Sequence, residues 1–208
     1  MICLGIDTTE LKTVPSNKHL VRLASIFEIS AFREFIVRLG LDVQEYSNIQ
    51  NQYESNGVQS IMFMALDRWM KDIRAKLKQP CFKHIRDAML EVNMNHHFLC
   101  QVFREDTSLN DVSERRLQML IEDDVLADLP KYIGNCVIHL GIELGLTVEE
   151  IEVAMFNNPK DMYSQLAFVL HMWKTQSKRP TIFALMKALQ HVKSGGLSYL
   201  CKQYNISI

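Results

Sequence analysis

The chain has 208 residues, of which 48% are apolar, and it carries a formal net charge of −1. That length is generous for one small helical bundle and comfortable for two. The near-neutral balance excludes a general nucleic-acid binder, because neutralising phosphates needs a basic surplus. Eight glycines and five prolines are few for a protein of strands and tight turns, whereas eleven methionines and many leucines favour helices. Residues 1–104 carry 13 Lys and Arg against 11 Asp and Glu; residues 105–208 carry 10 against 13. This mild asymmetry can bias how each half meets a partner. The five cysteines are odd in number, irregularly spaced and without a CxxC pair. They read as reduced thiols of a cytoplasmic protein rather than a disulfide framework. The opening residues MICLGIDTTELK are too short in apolar run for a signal peptide. No stretch of about 18 apolar residues is present to cross a membrane. Met1 and the short tail suggest a complete chain.

Residues 1–15 read as an extended lead-in, with Pro15 as punctuation. Leu20, Leu23, Ala24 and Phe27 then recur with helical spacing, with Ser16 or Asn17 as N-cap. Phe32, Phe35, Ile36 and Leu39 form the face of a second helix that starts near Ser30 and ends at Gly40. A short helix follows from about Asp42 to Gln52, and Asn56-Gly57 breaks it. A long one runs from about Val58 to Lys78, with Ile61, Met62, Ala65, Trp69 and Ile73 inward. Pro80 separates it from a fifth carrying Phe82, Ile85, Met89 and Leu90, and a last helix spans about Asn95 to Phe103. The polar run 104–112 is the start of a linker. Asp111 and Glu114 have capping-box spacing and would open a linker helix through Arg115, Leu117, Leu120 and Ile121. If that helix fused the two halves, its apolar residues would be buried. Six further helices follow at about 125–133, 135–144, 147–156, 161–176, 180–192 and 195–204. The predicted division is a lead-in at 1–15, a first domain at 16–104, a linker at 105–124 and a second domain at 125–208.

The halves repeat one another. Leu-Gly-Leu occurs at 39–41 and 144–146, 105 residues apart, and Trp69 and Trp173 are 104 apart. Both tryptophans fall on the fourth helix of their half, in register with its apolar stripe, and read as core anchors. Pro80 and Pro180 both precede the fifth helix, with four more residues between Trp and Pro in the first copy.

The second copy, through ELGLTVEEIE (143–152), LAFVLHMWKTQ (166–176) and RPTIFALMKALQHV (179–192), resembles the death domain family. Leu144, Leu146, Ile151, Leu166, Leu170, Trp173, Leu185, Leu189 and Leu200 occupy the family's core places. Leu39, Leu41, Trp69, Ile85 and Met89 match in the first copy. A death effector domain fits that copy less well, because Arg86-Asp87-Ala88 lacks the spacer and leucine of its Arg-x-Asp-Leu motif. The resemblance implies an all-α chain of two six-helix death-fold bundles in tandem, joined by a short, partly helical linker. It also implies a non-catalytic adaptor in death or innate-immune signalling. Its partners would be other death-fold proteins, whether receptor, adaptor or effector, with self-association possible. Nucleic acid, membrane insertion and cofactors have no place in that reading. The alternative is a regulatory decoy that caps such assemblies.

Candidate docking charges are Arg33 and Arg38 on the second helix and Arg68, Lys71, Asp72 and Arg74 on the fourth. In the second copy they are Glu149, Glu150, Glu152, Lys160, Asp161, Lys174, Lys178 and Arg179. The bland reading of each is a solubility charge, since an exposed ion pair contributes only about 0–1 kcal/mol. Other chemistry is thinly signalled. His96 and Cys100 stand one helical turn apart, with His84 the nearest further ligand, which is short of a tetrahedral zinc set. Cys136 and His139 could form a thiol–imidazole pair but have no oxyanion loop in view. HExxH, GxxxxGK[ST] and GxSxG motifs are absent. Lys193-Ser194-Gly195-Gly196 reads as a turn between helices five and six.

Overall fold

A computed structural model describes residues 7–27, 29–103 and 118–206, the side chains of Ile29 and Ser30 excepted. The described residues are helical, with one isolated bridge and no strand. The chain divides into two compact units, Met1–Glu105 and Asp106–Ile208.

The first unit contains α1 (Thr8–Leu11), α2 (Asn17–Ala24), α3 (Ile29–Leu39), α4 (Val43–Tyr53), α5 (Val58–Ala75), α6 (Phe82–Glu91) and α7 (Leu99–Val102), with 3-10 turns at Glu54–Asn56 and His96–Phe98. Ser16 caps α2: its hydroxyl accepts from His19 N at 3.3 Å, and His19 Nδ1 accepts from Ser16 N at 3.2 Å. The long α5 is buried on every side from Ser60 to Met70 except at Arg68, and α2, α3 and α4 all pack on it. A helix buried nearly all round is central, and its Trp69, Phe63, Met62 and Leu66 are buried together with Phe32 and Phe35 of α3 and Leu23 of α2, which pack on it. Phe27 and Phe35 pack with ring centres 4.6 Å apart, and Phe82 and Phe103 at 4.5 Å. The lead-in is not extended throughout: Asp7 and Glu10 form a capping box that opens the short α1. α5 ends at Ala75, earlier than the predicted Lys78. Leu77 turns left-handed there (φ +57°) and diverts the chain before Pro80.

The second unit contains α8 (Asp123–Asp128) continued by a 3-10 turn (Leu129–Tyr132), then α9 (Val137–Leu144), α10 (Val148–Asn157), α11 (Met162–Gln176), α12 (Ile182–His191) and α13 (Gly196–Gln203). Here α9 is central, buried at every residue from Val137 to Glu143 and packed on α10, α11 and α12. Gly141 makes the α9–α10 approach possible, because a Cβ there would meet Ile151 Cδ1 at 2.6 Å.

The repeated Leu-Gly-Leu has the same geometry in each unit. Gly40 (φ +110°) and Gly145 (φ +94°) end α3 and α9 in the left-handed region that glycine tolerates without strain. The next amide bonds back five residues, Leu41 N to Ile36 O at 3.1 Å and Leu146 N to Gly141 O at 2.9 Å. Both leucines are buried, and the residue after each is an N-cap, Asp42 for α4 and Thr147 for α10. The prolines also correspond. α6 and α12 each begin two residues after theirs, at Phe82 and Ile182.

The linker differs from expectation where it is described. Met119 to Ile121 are not helical, and Leu120 forms an isolated antiparallel bridge with Thr181 in the segment before α12. Ile121 N donates to Pro180 O at 3.0 Å and Ile182 N to Met119 O at 2.9 Å. Ile121 is buried, Leu120 is exposed, and Asp111, Glu114, Arg115 and Leu117 lie outside the described residues. These two bonds pin the chain beside the segment that opens α12.

Candidate interaction surfaces

The fourteen charged residues singled out from the sequence fall into two groups. Some are occupied within their own unit. Arg68 Nε lies 3.0 Å from Glu45 Oε1 on α4 and 3.4 Å from Asp72 on its own helix. Lys71 Nζ lies 2.8 Å from Asp67, whose side chain is buried. Glu150 closes the α10 capping box by accepting from Thr147 N at 2.8 Å, and also accepts from Gln176 Nε2 at 2.7 Å, which ties α10 to α11. Those bonds, the Thr147 amide foremost, lower its carboxyl below the ordinary value. Asp161 caps α11 through Ser164, and the Ser164 hydroxyl and amide lower its carboxyl likewise. Lys174 reaches back along the chain: its ammonium donates to Ile121 O at 2.9 Å and Asp123 at 2.7 Å. Glu152 is half-buried.

The rest stand outward. Arg33 and Arg38 project from α3 and, with Glu34, Val37 and Glu91, line an open surface groove of about 610 Å³. Arg74 ends α5, Glu149 opens α10, Lys160 occupies a left-handed turn (φ +63°), and Lys178 and Arg179 precede α12; all five are exposed.

Charge reversal at Arg68 and Lys71 therefore strikes the fold as well as the surface. The double change Arg68→Glu with Lys71→Glu would set two new carboxylates against Glu45, Asp72 and buried Asp67. We expect a loss of about 1–2 kcal/mol, since one partner is buried and the cations are half exposed. Urea denaturation should show it as a lower midpoint with an unchanged slope.

Sequence reasoning missed the apolar members of the surface. Phe156 is 85% exposed and Val153 50% exposed, and both stand on the outer side of α10 near Glu149. The signal was legible. Val148, Ile151 and Ala154 form the buried stripe of α10, and Phe156 falls off that spacing.

Alternative chemistries find little to stand on. Cys136 is half-buried and His139 buried, and desolvation pushes the thiol up to about 12 and the imidazole down to about 4. Both are thus held neutral, the reverse of a thiolate–imidazolium pair. Cys100 is disulfide-bonded, which corrects the expectation of five reduced thiols; Cys81, Cys136 and Cys201 are free. The His96 and His97 rings lie against each other at 4.4 Å. Among the described residues no group of three or more His, Cys, Asp or Glu is placed to hold a metal. No described helix is long and apolar enough to cross a membrane.

The chain matches no family model, no curated protein and no solved structure.

Proposed function

We propose that the chain is a non-catalytic adaptor built of two death-fold bundles, each docking on another death-fold protein in death or innate-immune signalling. One observation carries the reading: the units offer unlike outward surfaces. The first presents a groove edged by Arg33 and Arg38. The second presents an acidic-apolar helix face with Phe156 at its most exposed point. An outward aromatic is the usual anchor of a protein interface, and surrounding charge sets partner choice and encounter rate. The repeated Leu-Gly-Leu caps and paired tryptophans support the death-fold resemblance. Two weak sites on one chain also raise avidity without strong single contacts. The reading places the chain in the cytoplasm, where three free thiols are at home and the Cys100 disulfide would have to be shielded from reduction.

Affinity capture with the tagged protein tests this. Wild type should recover death-fold proteins. Phe156→Ala should weaken the second-unit partner by about 30-fold, the size of an interface anchor of about 2 kcal/mol. Arg33→Glu with Arg38→Glu should weaken the first-unit partner and leave the second untouched. Undiminished capture by both variants would reject these surfaces. Recovered partners that polymerise then separate two roles: nucleation by the chain supports the adaptor, and arrested growth makes it a capping decoy.

A further inference from the structure

The turn between α5 and α6 holds a leucine where the backbone favours glycine. Lys76 caps α5, Leu77 adopts φ +57°, and Lys78 N bonds back to Ile73 O at 3.1 Å. Gly40 and Gly145 fill the same left-handed post after α3 and α9. Among the described residues the other non-glycine positions of positive φ are two asparagines and two lysines, so Leu77 is the apolar one of that set. Its side chain is 97% exposed. The strain of a left-handed leucine is therefore borne without any burial in return.

The chain on either side of it is basic. From Ile73 to Arg86 the chain has five cations and no carboxylate. Arg86 is paired with Asp87. Arg74, Lys76, Lys78 and Lys83 are exposed, and none forms an ion pair among the described residues. The turn between helix end and proline is four residues here, 76–79, and three in the second unit, 177–179. The second unit has no such tip: Ser177 is extended and the chain runs directly to Pro180.

We infer that this tip is a peripheral contact for an anionic lipid bilayer. Leu77 would enter the interfacial region while Arg74, Lys76, Lys78 and Lys83 meet lipid phosphates. An anionic bilayer offers both an apolar layer for the leucine and a sheet of negative charge around it. A nucleic-acid backbone offers the charge alone. Such contact is reversible and distinct from a membrane span, and it would hold the first unit at a membrane surface.

Co-sedimentation with phosphatidylcholine vesicles, with and without phosphatidylserine, tests it on the full chain. Wild type should bind only the phosphatidylserine vesicles and lose binding as salt rises. Lys76→Gln with Lys78→Gln should weaken binding by about 25-fold, at about fivefold per cation. Leu77→Gly should weaken it by about tenfold. That variant suits the left-handed backbone, so it should melt no lower than wild type, and its loss cannot be ascribed to unfolding. Free inorganic phosphate should not compete. Absence of binding to phosphatidylserine vesicles at low salt would overturn the proposal. So would equal binding by Leu77→Gly, or equally tight binding to a short DNA duplex, either of which marks a general polyanion site. Because Leu77→Gly leaves Arg33, Arg38 and Phe156 intact, partner capture by this variant stays at the wild-type level if the adaptor reading holds, whatever the vesicles show.

Discussion

Replacing Trp69 with alanine should cost the first unit about 3–5 kcal/mol, and Trp173→Ala should cost the second unit about as much. Each indole is almost wholly buried, at 1% and 3% exposure, on the longest helix of its unit. Trp69 stands among Phe63, Leu66 and Met70 on α5, and Trp173 lies near Leu166, Val169 and Leu170 on α11. Truncation removes the largest side chain of a filled core, and neighbours held on separate helices close only part of the gap. A domain of this size is stable by only about 5–15 kcal/mol, so either variant should be partly unfolded at body temperature. Circular dichroism in urea reads the loss. Trp→Phe at either site should cost much less because most of the volume is kept. A loss below about 1 kcal/mol for either alanine variant would mean that the indole is not the anchor of its core.

The second unit should weaken with acid over a window set by His139. Its imidazole is 4% exposed on central α9, and burial pushes its pKa from an ordinary 6.5 down to about 4, against the opposing pull of the Glu143 carboxylate. The unfolded chain therefore binds a proton that the folded chain refuses. The stabilisation is fully present above pH 6.5, declines by about 1.4 kcal/mol per pH unit below it, and levels off near pH 4 after a loss of about 3 kcal/mol. In a Trp69→Phe background the fluorescence of Trp173 reports the second unit alone. Urea midpoints read by that signal should fall steadily from pH 6.5 to 4.5. His139→Met should flatten the trend, since it keeps an apolar filler and removes the titrating group. A midpoint that held constant in wild type across this range would show that the buried imidazole accepts its proton without cost.

The two effects differ in how far they could be foreseen. Trp69 and Trp173 declared themselves by helical spacing and by their matched positions in the repeat. His139 could be placed on a helix beside Cys136 and Glu143, but not among buried neighbours on three sides. Its helix is apolar all round, so spacing alone does not single out one inward face.

Among the docking charges the same limit applied more strongly. Arg33 and Arg38 stand out from α3 because Phe32, Phe35, Ile36 and Leu39 use up the inward face, and that was legible. Lys174 also reads as outward by spacing. It is instead committed to Ile121 and Asp123, more than fifty residues earlier in the chain. Glu150 and Asp161 are capping groups first, and Asp161 sits at an N-cap that its neighbours could have suggested.

What the sequence determined by itself was local or periodic. The longer helices, the glycine caps at 40 and 145, the proline breaks and most of each inward face follow from backbone sterics and the burial of apolar side chains, whereas the short α1 and the exposure of Leu90 do not. Sterics and burial of this kind act within a turn or two of chain. Tertiary structure alone decided which charges are spent on partners within a unit, that Leu120 bridges to Thr181 beside Pro180, that Cys100 is bridged, and that Leu77 is left in solvent. Each of these depends on which distant groups approach within bonding distance, and side-chain spacing along one helix carries no record of that.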